Sequence, residues 1–260
     1  MPDFSEKKGV RWMDKNLALA FLAVFTIATL VGMKRAAGGG IPIRRVPGLD
    51  AIDEAIGRAT EMGSTSLFII PGGPFDAQAF AAFDILSHVA RQAAKYDTRI
   101  LVVNALPEAH AISQEVVRQA YLAEGREDKF SPESLQFLSG GFTAGVLGIY
   151  EREKIGANFL FGSFYFESLT LAEAGQRTGA IQVSGTANTH QLPFLVAACD
   201  YTLIGEEIYA AGTYLSRNGA QIGSLVAQEM GKYISILAML AGSVYMTAVS
   251  LASKSVAAKP

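Results

Sequence analysis

The chain has 260 residues, half of them hydrophobic, with a formal net charge of −2 and a single cysteine. That balance excludes the basic footprint of a nucleic-acid binder, and one thiol, Cys199, excludes an intrachain disulfide. His88, His110 and His190 show no metal-ligand spacing, so a structural metal is not expected, and nothing in the composition calls for a cofactor.

A mean hydropathy of +0.26 is high for a soluble protein, and two apolar stretches account for it. After an N-terminal tail (1–16), residues 17–33 read LALAFLAVFTIATLVGM without a charge and are followed at once by Lys34 and Arg35. As a helix this stretch covers roughly 26 Å, close to the ~30 Å hydrocarbon core of a bilayer. A cleaved signal peptide is the rival reading. The run is longer than an ordinary signal core, and a Lys-Arg pair stands where a small-residue cleavage site would be.

Residues 234–252, ISILAMLAGSVYMTAVSLA, form the second stretch, followed by a short tail (254–260). Its only polar groups are Ser and Thr hydroxyls and Tyr245, and the hydroxyls can bond back to helix carbonyls. Both stretches carry small residues four apart, Ala28 with Gly32 and Ala238 with Gly242, a spacing that lets helices approach closely in lipid. The bilayer and further copies of the chain are therefore the expected partners. Lys7, Lys8, Arg11 and Lys15 balance Lys34, Arg35, Arg44 and Arg45. Arg217 and Lys232 balance Lys254 and Lys259 in the same way. The positive-inside rule thus returns no orientation. A bacterial inner membrane with the domain on the cytoplasmic side is the working expectation.

Between the stretches, a Gly- and Pro-rich linker (34–47) leads into residues 48–218, where helical and strand patterns alternate. Leu49–Met62 has apolar residues at helical spacing, and Ser66–Ile70 is a strand closed by Pro71-Gly72-Gly73-Pro74. Asp76–Tyr96 is a helix with Asp76 at the N-cap. Thr98–Val103 is a strand, and Pro107–Ala123 a helix with proline in its first turn. A charged loop, Gly125–Glu133, precedes a short strand at Leu135–Leu138. Ser139-Gly140-Gly141 then opens a helix reaching Lys154. Asn158–Gly162, Ala180–Ser184 and Tyr201–Ile204 read as strands. Helices at Glu167–Gly175, Gln191–Ala198 and Glu206–Ser216 separate and follow them. Residues 219–253 read as one long helix that includes the second apolar stretch, although Gly223 and Gly231 weaken its continuity. Short apolar strands alternating with helices predict a Rossmann-like, doubly wound and mostly parallel α/β sheet inserted between two transmembrane helices.

In such a sheet, ligands bind beyond the carboxyl ends of the strands. The residues expected there are Gly72, Gly73, Ser139, Gly140, Gly141, Ser163, Thr186, His190 and Glu206. Several lie just before a helix, where free N–H groups favour an anion. No Walker sequence or complete GxGxxG is present, and tight turns need Gly whatever the function. His190 could serve as a base and Glu206 as an acid, but no partnered nucleophile accompanies them. Cys199, in FLVAACDYTLIG, reads as a buried, inert thiol.

The stretch SGTANTHQLPFLVAACDYTLIGEEIYAAGTYLS, then QIGSLVAQEMGK, resembles a family of prokaryotic membrane proteins in which a Rossmann-like α/β domain is held between transmembrane helices. The likeness is looser through GANFLFGSFYFESLTLAEAGQRTGA. It implies the same layout here and no residue role. Three functions fit these features. The first is a non-catalytic subunit of a homo-oligomeric membrane assembly built from side-by-side α/β domains. The second is a membrane-held sensor of a small anionic or nucleotide ligand, and the third a membrane-surface hydrolase or transferase. The first fits best, because the double tether is clear and a catalytic motif is missing.

Overall fold

The structure, a computed structural model, describes residues 47–216 together with scattered residues of the segments 19–34 and 228–247. The chain divides into two compact units, Ile43–Arg217 and the terminal segments Met1–Pro42 and Asn218–Pro260 together. About half of each of the stretches 17–33 and 234–252 lies outside the described residues, as do Ala28, Gly32, Ala238 and the segment 217–227 where the long final helix is expected. Among the described residues, no helix is long and apolar enough to cross a membrane. Gly242 is described, is helical, and has nothing within 4 Å of where a Cβ would stand.

Within Ile43–Arg217 the element order is α1 (Pro47–Glu61), β1 (Thr65–Ile70), α2 (Ala77–Tyr96), β2 (Ile100–Asn104), α3 (Pro107–Ala123), β3 (Leu135–Phe137), α4 (Phe142–Arg152), β4 (Ile155–Phe161), α5 (Ser168–Arg177), β5 (Ile181–Thr186), α6 (Leu192–Ala198), β6 (Tyr201–Ile204) and α7 (Glu207–Ser216). Two short 3-10 turns, Glu127–Lys129 and Pro132–Ser134, break the charged loop before β3. The helix periodicity explains α1 directly. Leu49, Ile52, Ala55, Ile56 and Ala59 recur at helical spacing, and all are buried.

All six strands are parallel, in the order β3-β2-β1-β4-β5-β6. This is the doubly wound Rossmann order, in which the winding reverses between β1 and β4. Both faces of the sheet are covered, so the strands are largely apolar rather than strictly alternating. On one face Phe68, Ile70, Val102, Phe159 and Phe161 meet α1, α2, α3 and α7 in the larger core. The Phe68 ring stacks 6.2 Å from Phe159 and 5.8 Å from Phe161. On the other face Leu67, Ile69, Leu101, Val103 and Leu160 meet α4, α5 and α6.

Strand boundaries differ from the sequence expectation where glycine intervenes. β4 starts at Ile155 rather than at Asn158, because Gly156 lets the strand pass close under α1. A Cβ there would stand 3.0 Å from the Ala59 Cα and 2.7 Å from the Ser64 Cβ. β5 likewise runs two residues further, to Thr186, through Gly185, which lies against the Phe161 ring.

The second core contains a polar layer. Gln182 and Asn158, both buried, are joined by an Asn158 Nδ2 to Gln182 Oε1 bond of 2.7 Å. Gln182 Nε2 donates to the carbonyls of Ala172 (2.8 Å) and Ala198 (2.9 Å). Ser184 and Thr202 share a hydroxyl bond of 2.9 Å one pleat further along. These bonds tie α5, α6, β4, β5 and β6 into one unit.

Candidate functional site

The crevice at the winding reversal is bounded by the β1–α2 turn (71–76) and the β4–α5 turn (162–167), and the sequence-expected residues distribute around it unevenly. Gly73 is buried at its centre, packed so that a Cβ would fall on the carbonyl oxygen of Ser163. That close approach is what requires glycine there. Gly72 is exposed, and a Cβ on it would meet Ala105 at 3.2 Å. Gly162, at φ 131°, turns the chain out of β4 beside Pro71.

Gln78, in the first turn of α2, links these parts and was not legible as a site residue in the sequence. It is 8% exposed. Its Oε1 accepts from the Ala187 backbone N–H at 2.7 Å and from Thr186 Oγ1 at 3.3 Å. Its Nε2 lies 3.3 Å from Asp76 Oδ2 and 3.5 Å from Ser163 Oγ. One amide therefore bridges the ends of β1, β4 and β5. Asn188 continues the network, its Nδ2 donating to the Phe164 carbonyl at 2.8 Å and its own N–H reaching Thr186 Oγ1 at 3.2 Å. Ser163 and Thr186 are thus brought together with Gly73. They are engaged with neighbouring protein groups.

Asp76 decides the electrostatics of this crevice. Its Oδ1 accepts from the N–H groups of Gln78 (2.9 Å) and Ala79 (3.3 Å), as the N-cap expectation requires. In dinucleotide-binding folds the corresponding helix N-terminus holds a pyrophosphate. Here those donors face a carboxylate of the protein itself, and a second anion would meet both occupied N–H groups and like charge. The connections at the strand carboxyl ends, 71–76, 105–106, 138–141, 162–167, 187–191 and 205–206, contain no Lys or Arg to offset it.

The remaining expected residues lie apart from this network. Ser139, Gly140 and Gly141 are exposed at the β3 edge. Gly141, at φ 65°, is the N-cap of α4 with no side-chain hydrogen bond, so the first N–H groups of α4 carry no side-chain cap. His190 is exposed, and its backbone N–H bonds Asn188 Oδ1 at 3.2 Å. Glu206 is exposed beside β6, while its neighbour Glu207 accepts from the Ile204 N–H at 2.9 Å. Glu167, which the sequence reading did not single out, is 6% exposed and accepts from the Tyr165 N–H at 3.4 Å. In the same turn Tyr165 and Phe166 stand out, Phe166 being 86% exposed.

Titration at the site follows burial. Burial, and secondarily the Asp76 carboxylate, raises the hydroxyl of Tyr209 in the first turn of α7. Burial pushes the Cys199 thiol from its usual value near 9 up to about 11, against a smaller opposing effect of Ser184. That thiol is protonated at neutral pH and a poor nucleophile. Among the described residues, no three His, Cys, Asp or Glu side chains stand together as a metal site.

An all-parallel sheet wound 3-2-1-4-5-6, with polar turns at its winding reversal, defines a Rossmann-like α/β protein. The family model described as a domain of unknown function, DUF6754, matches residues 6–257, and the chain belongs to that family. No curated protein and no solved structure matches it.

Proposed function

We propose that this is an integral membrane protein whose Rossmann-like domain serves as a non-catalytic subunit of a homo-oligomeric assembly at a bacterial inner membrane. One observation carries the membrane part. The described helical residues of the two apolar stretches hold large apolar side chains in the open, Leu22 at 64%, Ile27 at 61%, Met239 at 72% and Leu240 at 60% exposure. In water each forgoes about 1.5–3 kcal/mol of burial, whereas in lipid the exposure costs nothing. A crevice filled by Gln78, Ser163 and Thr186, with Asp76 on the helix donors, favours a structural domain over a sensor of anions or nucleotides. Association between copies draws support from the small-residue spacing of Ala238 and Gly242. Exposed Phe194, Val196 and Ile204 around the β6 edge add to it.

Membrane fractions washed at alkaline pH should retain the protein until detergent is added. Mass photometry of the extract should then give one mass that is a multiple of the protomer. Release by the alkaline wash would sink the membrane reading, and a monodisperse monomer would sink the assembly. Labelling of engineered surface cysteines in intact cells by an impermeant maleimide would assign the side; the expectation is protection. A reading as an anion sensor keeps one supporting feature, the uncapped N-terminus of α4 at Gly140–Gly141. A thermal shift growing with nucleotide concentration would favour it.

A further inference from the structure

Away from the winding reversal, the carboxyl end of β2 holds two buried polar groups with no partner in the protein. Asn104 is the last residue of β2 and is fully buried. It follows Val102 by two residues, so both side chains lie on one face of the sheet. That face is the one α3 covers, with Ala109 and Val117 in the same core as Val102. Asn104 Oδ1 accepts from Ser113 Oγ, in the second turn of α3, at 2.9 Å. Asn104 Nδ2 is buried and has no hydrogen-bond partner among the described residues. His110 stands on α3 three residues before Ser113 and so shares its helix face. Its ring Nδ1 is likewise buried and unpartnered. Phe137, at the end of β3, is the register partner of Asn104, and its ring centre lies 6.0 Å from that of His110.

Such orphans are rare, because a buried donor or acceptor left unpaired forfeits its bond to water and gains nothing for it. Two of them on facing elements, beside an aromatic ring, mark a position built to take a further group. What that group must offer follows from the atoms. The Asn104 Nδ2 group only donates, whereas a neutral imidazole with its proton on Nε2 accepts at Nδ1. Their joint complement is an acceptor next to a donor, the C=O and N–H edge of a lactam or carboxamide. In that form neither group carries a charge, so a neutral ligand is matched and an anion is not. Phe137 supplies an apolar flank for a planar ring. It is exposed and His110 half-buried, so the position is reached from solvent past these two rings.

We propose that the carboxyl end of β2 binds a small, uncharged, planar molecule with a lactam or carboxamide edge, of the kind carried by a nucleobase or by nicotinamide. Its carbonyl accepts from Asn104 Nδ2, its N–H donates to His110 Nδ1, and its ring lies against Phe137. Ser113 is a positioning residue: by donating to Asn104 Oδ1 it fixes which end of that amide is turned to the ligand. No phosphate is needed, in keeping with strand-end connections that contain no Lys or Arg. The site does not depend on the membrane assembly.

Isothermal titration calorimetry on the full chain in mild detergent tests this with uracil and nicotinamide as probes, each compared with its fully N-methylated analogue. Saturable binding of at least one probe is expected, and which one binds tells lactam from carboxamide. The analogue, its donor gone, should bind weaker by about tenfold or more. His110→Phe keeps a ring and removes Nδ1, while Asn104→Leu removes the amide; each should weaken binding by a similar factor. Position 110 is only half-buried, so H110F keeps the test decisive even if N104L folds poorly. Failure of both probes to bind at millimolar concentration, the result that a single bridging water would give, would overturn the proposal. Binding that the methylated analogues match, or that H110F leaves unchanged, would overturn it as well.

Discussion

Replacing Gln182 by Leu removes the buried amide that joins four elements, β4, β5, α5 and α6, while keeping the side-chain volume close to unchanged. Three groups lose a partner: Asn158 Nδ2 and the carbonyls of Ala172 and Ala198. A buried group left unsatisfied costs about 1–3 kcal/mol. The Ala172 carbonyl lies inside α5 and keeps its helical bond, so its loss sits at the bottom of that range. The Asn158 amide and the Ala198 carbonyl, the latter at the end of α6, carry most of the penalty. Leu gains part of it back through apolar burial, leaving a net loss of about 3 kcal/mol. For a unit of this size that is a fall in Tm of roughly 6–12 °C. Urea unfolding of the detergent-solubilised chain should show a lower midpoint with the slope unchanged. The double variant N158L/Q182L should recover part of the loss, because removing both partners leaves no orphaned amide. A loss below about 1 kcal/mol for Q182L, or strictly additive single and double variants, would refute this account of the polar layer.

Gly73→Ala should destabilise by about 3 kcal/mol or more, since the new methyl collides with the Ser163 backbone rather than with a movable side chain; Gly72→Ala, read in the same melts, should cost far less. Asp76→Ala should lose about 0.5–2 kcal/mol as the α2 cap disappears, and Asp76→Asn most of an order less, since Asn caps as well. Cys199, raised to about 11 in the fold from a usual value near 9, binds its proton more tightly when folded. Its contribution is fully present below about pH 9 and is lost as pH rises toward 11. Stability measured across that window should therefore fall, and C199A should flatten part of the fall. At pH 8 the native thiol should react with Ellman's reagent only slowly, and promptly once urea is added.

The order and type of elements follow from local chemistry. Asp76 as cap, Pro107 in a first turn and the apolar spacing of Leu49, Ile52 and Ile56 each act within a few residues, so they can be read without a partner in view. The largely apolar strands likewise announced a sheet covered on both faces. Glycine was the commonest source of error. Gly156 and Gly185 resemble breakers, yet both lie inside strands because a neighbour approaches too closely for a side chain.

Function-bearing geometry was less legible. Gly73, Ser163 and Thr186 could be assigned to strand ends one by one, but their joining through Gln78 depends on β1, β4 and β5 standing side by side. A glutamine in the first turn of an Ala-rich helix has no sequence mark that separates a surface residue from a hub. By itself, then, the sequence determined the alternation of helices and strands, the apolar stretches and the caps, because these rest on contacts between near neighbours. Only the tertiary structure decided that the winding reverses between β1 and β4 and that the crevice there is filled by Gln78. Those outcomes depend on which strands pair, and pairing brings together residues too far apart in the chain for any local pattern to connect.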